Sequence, residues 1–300
     1  MASNSIDARS SGTRALKHVV RHFARRAGRA FASAATSATA VHEARKDLKR
    51  CRTALRLLRP ALTGLRFHRA NAVLRDAAHS LNAARDAKVL TQTLQSLREE
   101  SLALRRDPAV AELARVLQAE EAAVRWRLRA RPAPLARTRR ALDRLCGRMG
   151  QWRVGVHGWS VLGPALQRIY RGGRRALPAV QADPVDRTLH EWRKQVKYLR
   201  YALEILTPMR RSRMARLARQ AKQLTDYLGE VHDLAVLARR ARGVAKRNGA
   251  DLQPLLTRID RRRGRLTHEA LALGGPLYCA RPRDWERPLE RYWRRWRRVS

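Results

Sequence analysis

Apolar residues recur at helical spacing over most of this chain. Val41, Ala44, Leu48, Cys51, Ala54, Leu55, Leu58 and Leu62 fall on one side of a helix, while His42, Arg45, Lys46, Lys49 and Arg56 fall on the other. The division returns after His190: Trp192, Val196, Leu199, Leu203 and Leu206 oppose His190, Arg193, Lys194, Lys197 and Tyr201. An Arg-rich helix from Thr13 to Ser33 turns Leu16, Val19, Val20 and Phe23 inward and Arg14, Lys17, Arg21 and Arg25 outward. Its counterpart is Ala165 to Leu177, with Arg171 and Arg175 outward.

The pattern also predicts helices from about Leu62 to Ala84 and from Arg85 to Arg105. Asp107-Pro108 reads as N-cap and first helical residue, and Asp183-Pro184 as the start of the second ridge helix. Leu81 to Leu90 parallels Leu228 to Leu237, which places Asp86 and Asp233 at helix starts as caps or first-turn acids. Arg131 to Pro134 is the expected hinge between two halves, and Gly249 and Pro254 break the last long hairpin. Gly150 to Gly163, with Trp152 and Trp159, has no regular pattern. The tail from Arg281 to Ser300 sets Trp285, Tyr292, Trp293 and Trp296 among arginines, as a helix docking its aromatics over a seam would.

His42 to Pro60 and His190 to Pro208 are identical at ten of nineteen positions, where a composition rich in Arg, Ala and Leu gives roughly two or three by chance. One unit is therefore used twice in the chain. Each copy carries one cationic row. Like charges at i, i+3 and i+4 weaken a helix by a few tenths of a kcal/mol per pair, so a merely solvated face would mix in acids. The second row is the less basic, because Glu204 stands where Arg56 stands in the first. Four of the eight lysines, Lys46, Lys49, Lys194 and Lys197, lie on these rows, a placement that general Arg enrichment does not produce.

Charge then narrows the partner. Lys and Arg total 66 against 25 acids, a net +41, and the excess is spread evenly along the chain. With 44% hydrophobic residues the sequence has cores to build and is not a basic tail. A body this basic repels itself unless a polyanion occupies it, so nucleic acid, polyphosphate and an anionic membrane surface all qualify. Cys51, Cys146 and Cys279 have no metal spacing and fit a reduced, cytoplasmic chain. No run reaches membrane-spanning length, and the N-terminus lacks a signal-like apolar stretch.

Catalysis finds little support in the residues. The sequence has no phosphate-binding GxxxxGK[ST] loop and no HExxH; the counterpart of His232-Asp233 in the other half is Arg85-Asp86, which argues against a metal pair. Neither a catalytic nor a metal site is expected, and no cofactor is implied. A nucleic-acid reader would add stacking or base-reading groups, yet Tyr198 and Tyr201 occur in the second copy alone. Nonspecific RNA or DNA binding through charge needs no motif and stays open.

The repeated pattern H-E-x-R-K-x-x-K-x-x-R-x-A-L, starting at His42 and at His190, resembles the CHAD domain family, named as a histidine-containing α-helical domain. The likeness runs from about Thr13 to about Leu271, and Lys197 to Glu204 carries it best. The resemblance implies an all-α fold: two pseudo-symmetric four-helix bundles from an internal duplication, with a basic groove or pore between them, binding inorganic polyphosphate. Many relatives carry a second, triphosphate-handling domain, for which no stretch is left over here. The expected division is a disordered N-terminus (1–12), a first bundle half (13–131) and a second half (132–300) that includes the Trp- and Arg-rich helix.

On this reading Arg45 and Arg193 fork onto phosphate oxygens, Lys46, Lys49, Lys194 and Lys197 act as point charges, and Arg56 extends the first row. His42 and His190 donate hydrogen bonds and gain charge as pH falls towards 6, and Tyr201 donates one more. Arg21, Arg25, Arg171 and Arg175 extend the surface if their helices flank the rows. The expected activity is non-catalytic polyphosphate binding in the cytoplasm, with recruitment to polyphosphate granules.

Overall fold

The computed structural model describes Ile6 and residues 12–153 and 158–299, and every regular element in them is helical. The α-helices are α1 (Gly12–Ser33), α2 (Ala38–Leu58), α3 (Gly64–His79), α4 (Asn82–Glu99), α5 (Leu102–Arg106), α6 (Pro108–Ala130), α7 (Ala133–Gly150), α8 (Trp159–Ala182), α9 (Asp186–Ile205), α10 (Arg211–Asn248), α11 (Gln253–Tyr278) and α12 (Pro282–Val299). Among the described residues no helix is long and apolar enough to cross a membrane. The polar stretch 1–12, expected to be disordered, lies outside the described residues except for Ile6 and Gly12.

Local chemistry sets the helix boundaries. The Ser37 hydroxyl accepts from the Ala40 N–H and so caps α2, which ends where Pro60 forces a 3-10 turn. Asp107 caps α6 through Ala109 and Val110, with Pro108 at the first helical position as its sequence predicts. Asn248 ends α10 because Gly249 turns the chain with φ +64°, a left-handed conformation that suits glycine.

Apolar stripes then gather the helices into two groups of four. In the first, α1 packs on α2 and α7, and α3 closes the ring between α2 and α7. The second group is α8 through α11, with α12 laid against α8. Helix α7 lies beyond the Arg131–Pro134 break and returns to α1 and α3; α4 and α6 pair with each other, and α4 reaches α10. Helix α2 forms the seam, touching α8 and α9. The stripe on α2 is buried as expected, and the Cys51 and Cys146 thiols donate to the successive carbonyls of Val20 and Arg21 on α1. In α12, Trp293 is buried and the Trp285 ring stacks on Tyr170 at 4.4 Å between centroids, so the aromatic tail is a docking helix.

Four expectations change in detail. Asp183 closes α8 and α9 begins at Asp186 after Val185, so Asp183-Pro184 does not start the second ridge helix. The stretch from Leu62 to Arg105 is three helices, because the chain turns at Ser80 and again at Glu100–Ser101. Asp86 is the fifth residue of α4 and Asp233 lies deep inside the 38-residue α10, so neither is a cap or first-turn acid; both carboxylates pair with Arg85. Within Gly150–Gly163, α7 ends at Gly150 and α8 begins at Trp159, while 154–157 lie outside the described residues.

Close packing of α8, α9 and α11 depends on two missing side chains. A Cβ at Gly274 would collide with the buried Trp192 ring, and one at Gly173 with the Tyr278 hydroxyl. Gly264, on the same helix as Gly274, faces open space. Gly274→Ala is therefore expected to destabilise the protein by about 1–3 kcal/mol through overpacking, whereas Gly264→Ala gains about 0.5–1 kcal/mol of helix propensity. Urea unfolding midpoints of the two variants check this, and equal shifts would disprove the packing assignment.

Candidate functional site

Part of each cationic row lies between the helices rather than in open solvent. Those residues face a cavity of about 840 Å3 whose walls come from α2, α4, α6, α9 and α10 and from the turn that precedes α2. From α2 come His42, Arg45, Lys46 and Lys49; from α9 come Arg193, Lys197, Arg200 and Tyr201. Each points inward because its helix spends the opposite face on the core: Leu48, Cys51 and Leu55 are fully buried behind Lys49, and Trp192, Val196 and Leu199 behind Lys197.

Other helices add what the two rows lack. Arg85 and Lys88 of α4 and Arg125 of α6 face the same space, and α10 supplies Asp226, Glu230 and Asp233. Most of these acids are engaged with cations. Asp233 accepts from Arg85 at 3.0 Å, Glu230 pairs with Arg262, and Asp226 pairs with Lys222. Arg45 donates to the Ala78 carbonyl at 2.9 Å and to Asn82, which fixes its guanidinium, yet its buried Nε has no partner. The Arg193 Nε is likewise buried without one.

Cations gathered this closely resist their own charge. Burial, reinforced by Arg45, Arg193 and Arg85, lowers Lys49 to about 7. Burial, with Arg193, Lys49 and Arg85, lowers Lys197 well below the usual lysine value. Arg193 falls to about 10, again first through burial, and Arg45 is lowered too. Burial would also lower Arg85, but Asp233 and Asp86 more than offset it and hold the group above its usual value. Much of the field in this cavity is thus left for something from outside to neutralise.

Several predicted residues stand elsewhere. Arg56 lies over the Tyr198 ring at 4.0 Å and donates to Asn71 and to the Arg52 carbonyl, between helices rather than in the cavity. Lys194 is exposed and paired with Glu191, and the His190 ring sits 5.2 Å from that of His232. Arg21 and Arg25 occupy the α1 face beside α7, and Arg171 and Arg175 are exposed on α8; none of the four lines the cavity. Burial lowers both His42 and His190, so the charge expected near pH 6 appears only at lower pH.

Arg85, Lys88, Arg125 and Arg200 were not among the predicted binding residues. A signal existed for one of them: Lys88 is a fifth lysine out of eight, and lysine placement had already marked the rows. The arginines carry no such mark in a chain this rich in Arg.

A family model described as "CHAD domain" matches residues 13–242. Among solved structures, the crystal structure of the CHAD domain from the plant Ricinus communis aligns with a TM-score of 0.64 at 18% identity, covering 92% of this chain and 94% of that one. No curated protein matches the sequence.

The lowered Lys49 has a consequence for stability. Its folded value of about 7 lies below its ordinary 10.5, so between the two the unfolded chain binds more protons and stability rises with pH. The penalty grows as pH falls from 10.5 and levels off below about 7. Urea midpoints of the wild type are therefore expected to climb relative to Lys49→Met as pH rises through this window at low salt. Parallel curves would mean that Lys49 titrates as an ordinary lysine.

Proposed function

The chain belongs to the CHAD domain family, and from that footing we propose that the cavity between α2 and α9 binds inorganic polyphosphate without cleaving it. The observation that carries this reading is the convergence of Lys49, Lys197, Arg45 and Arg193 on one cavity with their proton affinities lowered. A chain of phosphates, one charge or more per unit and no bases or sugars, offers what such a cavity lacks. Arg45 and Arg193 present guanidinium forks, with His42 and Lys46 beside them, while Lys49 and Lys197 serve as point charges at depth. Phosphoanhydride hydrolysis usually recruits a divalent metal held by carboxylates, whereas the acids here are largely committed to Arg and Lys. The cell compartment we infer is the cytoplasm, at polyphosphate granules where these form.

Binding should draw protons in. A bound anion raises the proton affinity of Lys49 and Lys197, so affinity falls as pH rises above about 7, by at most about a decade per pH unit for each lysine. Calorimetric titration in buffers of different ionisation heat is expected to register net proton uptake near pH 8. Uptake of none would remove these lysines from the site.

The decisive comparison sets long-chain polyphosphate against single- and double-stranded nucleic acid of matched phosphate content at one near-physiological salt concentration. Polyphosphate is expected to win by about tenfold or more, about 1.4 kcal/mol. The double variant Lys49→Gln/Lys197→Gln should weaken it and flatten the dependence of log K on log salt by about one per lost contact, with helicity intact. Equal affinities that fall equally with salt would make the charge generic and nucleic acid the better partner.

A further inference from the structure

A second cavity of about 370 Å3 adjoins the first, and Tyr201 belongs to the walls of both. What separates them is a column of alternating rings and guanidinium groups. Arg50 sits over the Phe23 ring at 5.3 Å and over the Tyr201 ring at 5.9 Å, and Arg200 stands over Tyr201 at 5.2 Å. One carboxylate fastens the column. Glu204 accepts from Arg200 Nε at 2.8 Å and pairs with Arg50 Nη2 at 3.6 Å, linking α9 to α2 across the seam. Asp47 and Asp226 hold the outer sides of the same two arginines at 3.5 and 3.8 Å.

Without Glu204 each bridging arginine would keep a single acid, Asp47 or Asp226, and a cationic track would continue. Lys49, Lys197 and Arg193 would be followed by Arg200 and Arg50, and then by Arg211 in the smaller cavity. With it, each bridging arginine has two acidic partners and is held over Tyr201. We propose that Glu204 is a chain stop: it closes the track at Tyr201, so that a phosphate polymer occupies the larger cavity alone and does not pass into the smaller one. This rests on the polyphosphate reading and adds what sets the number of phosphates held.

The test uses two probes on the full chain, tripolyphosphate, which fits within the larger cavity, and long-chain polyphosphate. Glu204→Gln is expected to tighten the long chain by about tenfold, the scale of one charge-assisted contact, while leaving tripolyphosphate within about twofold. It should also raise the number of phosphates covered per protein at saturation. Asp233→Asn removes the same unit of charge from the wall of the larger cavity and should tighten both probes alike. If Glu204→Gln behaves like Asp233→Asn, or changes neither probe, the stop is overturned. Should Glu204→Gln fail to fold, Glu204→Asp keeps the charge but shortens its reach, and a smaller gain confined to the long chain is expected; no selectivity would overturn the proposal. Failure of the two readings is separable. A wild type that does not bind polyphosphate, or binding indifferent to Lys49→Gln/Lys197→Gln, removes the polyphosphate reading and the stop with it. Binding that depends on those lysines but ignores Glu204 removes the stop alone.

Discussion

Burial of Lys49 and Lys197 beside Arg193 and Arg85 at the α2–α9 seam is the constraint to which the rest of the structure answers. Two helices with such faces do not approach on their own account. They are held by what lies behind them: buried Leu48, Leu55, Trp192 and Leu199, and α1 and α8 packed on their outer sides. Burial of large apolar side chains, each contributing about 1.5–3 kcal/mol, offsets the cost of assembling charge that could otherwise spread into water. Burial and the neighbouring cations weaken the hold of Lys49 and Lys197 on their protons, and a lysine can release one where an arginine keeps its charge.

The sequence was a good guide to faces and a poor guide to neighbours. The stripe from Val41 to Leu58, the Asp107 cap and the docking of Trp285 and Trp293 follow from local rules, since each is settled within a turn or two of helix. So is the inward direction of Lys49 and Lys197. Arg56 and Lys194 show where that logic ends: each shares the outward half of its helix, but the cavity takes a narrower arc, and a residue is turned by about 100° for every step along the chain. Asp86 and Asp233 were misplaced because a repeated motif suggested a repeated boundary, whereas α10 runs straight through where the first half breaks at Ser80. Arg85, Lys88 and Arg125 enter from helices whose approach is set by packing over long sequence separations, which no periodicity encodes.

At 18% identity to a plant relative of the same family, the chain retains the fold over nearly all its length. The retained requirement is volume and patterning in the cores, which tolerate wholesale exchange of one apolar residue for another. The family match ends at residue 242, inside α10, while the helices after it complete the second group and cover Tyr170 and Trp192. Those closing helices are held by shape, through Gly173 and Gly274.

The Arg85–Asp233 ion pair ties α4 to α10, a helix of the second group, from inside the cavity itself. In mechanical terms it is an internal strut, and an anion that takes Arg85 removes it. On the proposed binding mode the load then passes to the polyphosphate, which would bridge the two sides of the seam. Occupancy thus exchanges a tie built into the protein for one supplied from outside, and the stiffness of the joint becomes a property of what is bound.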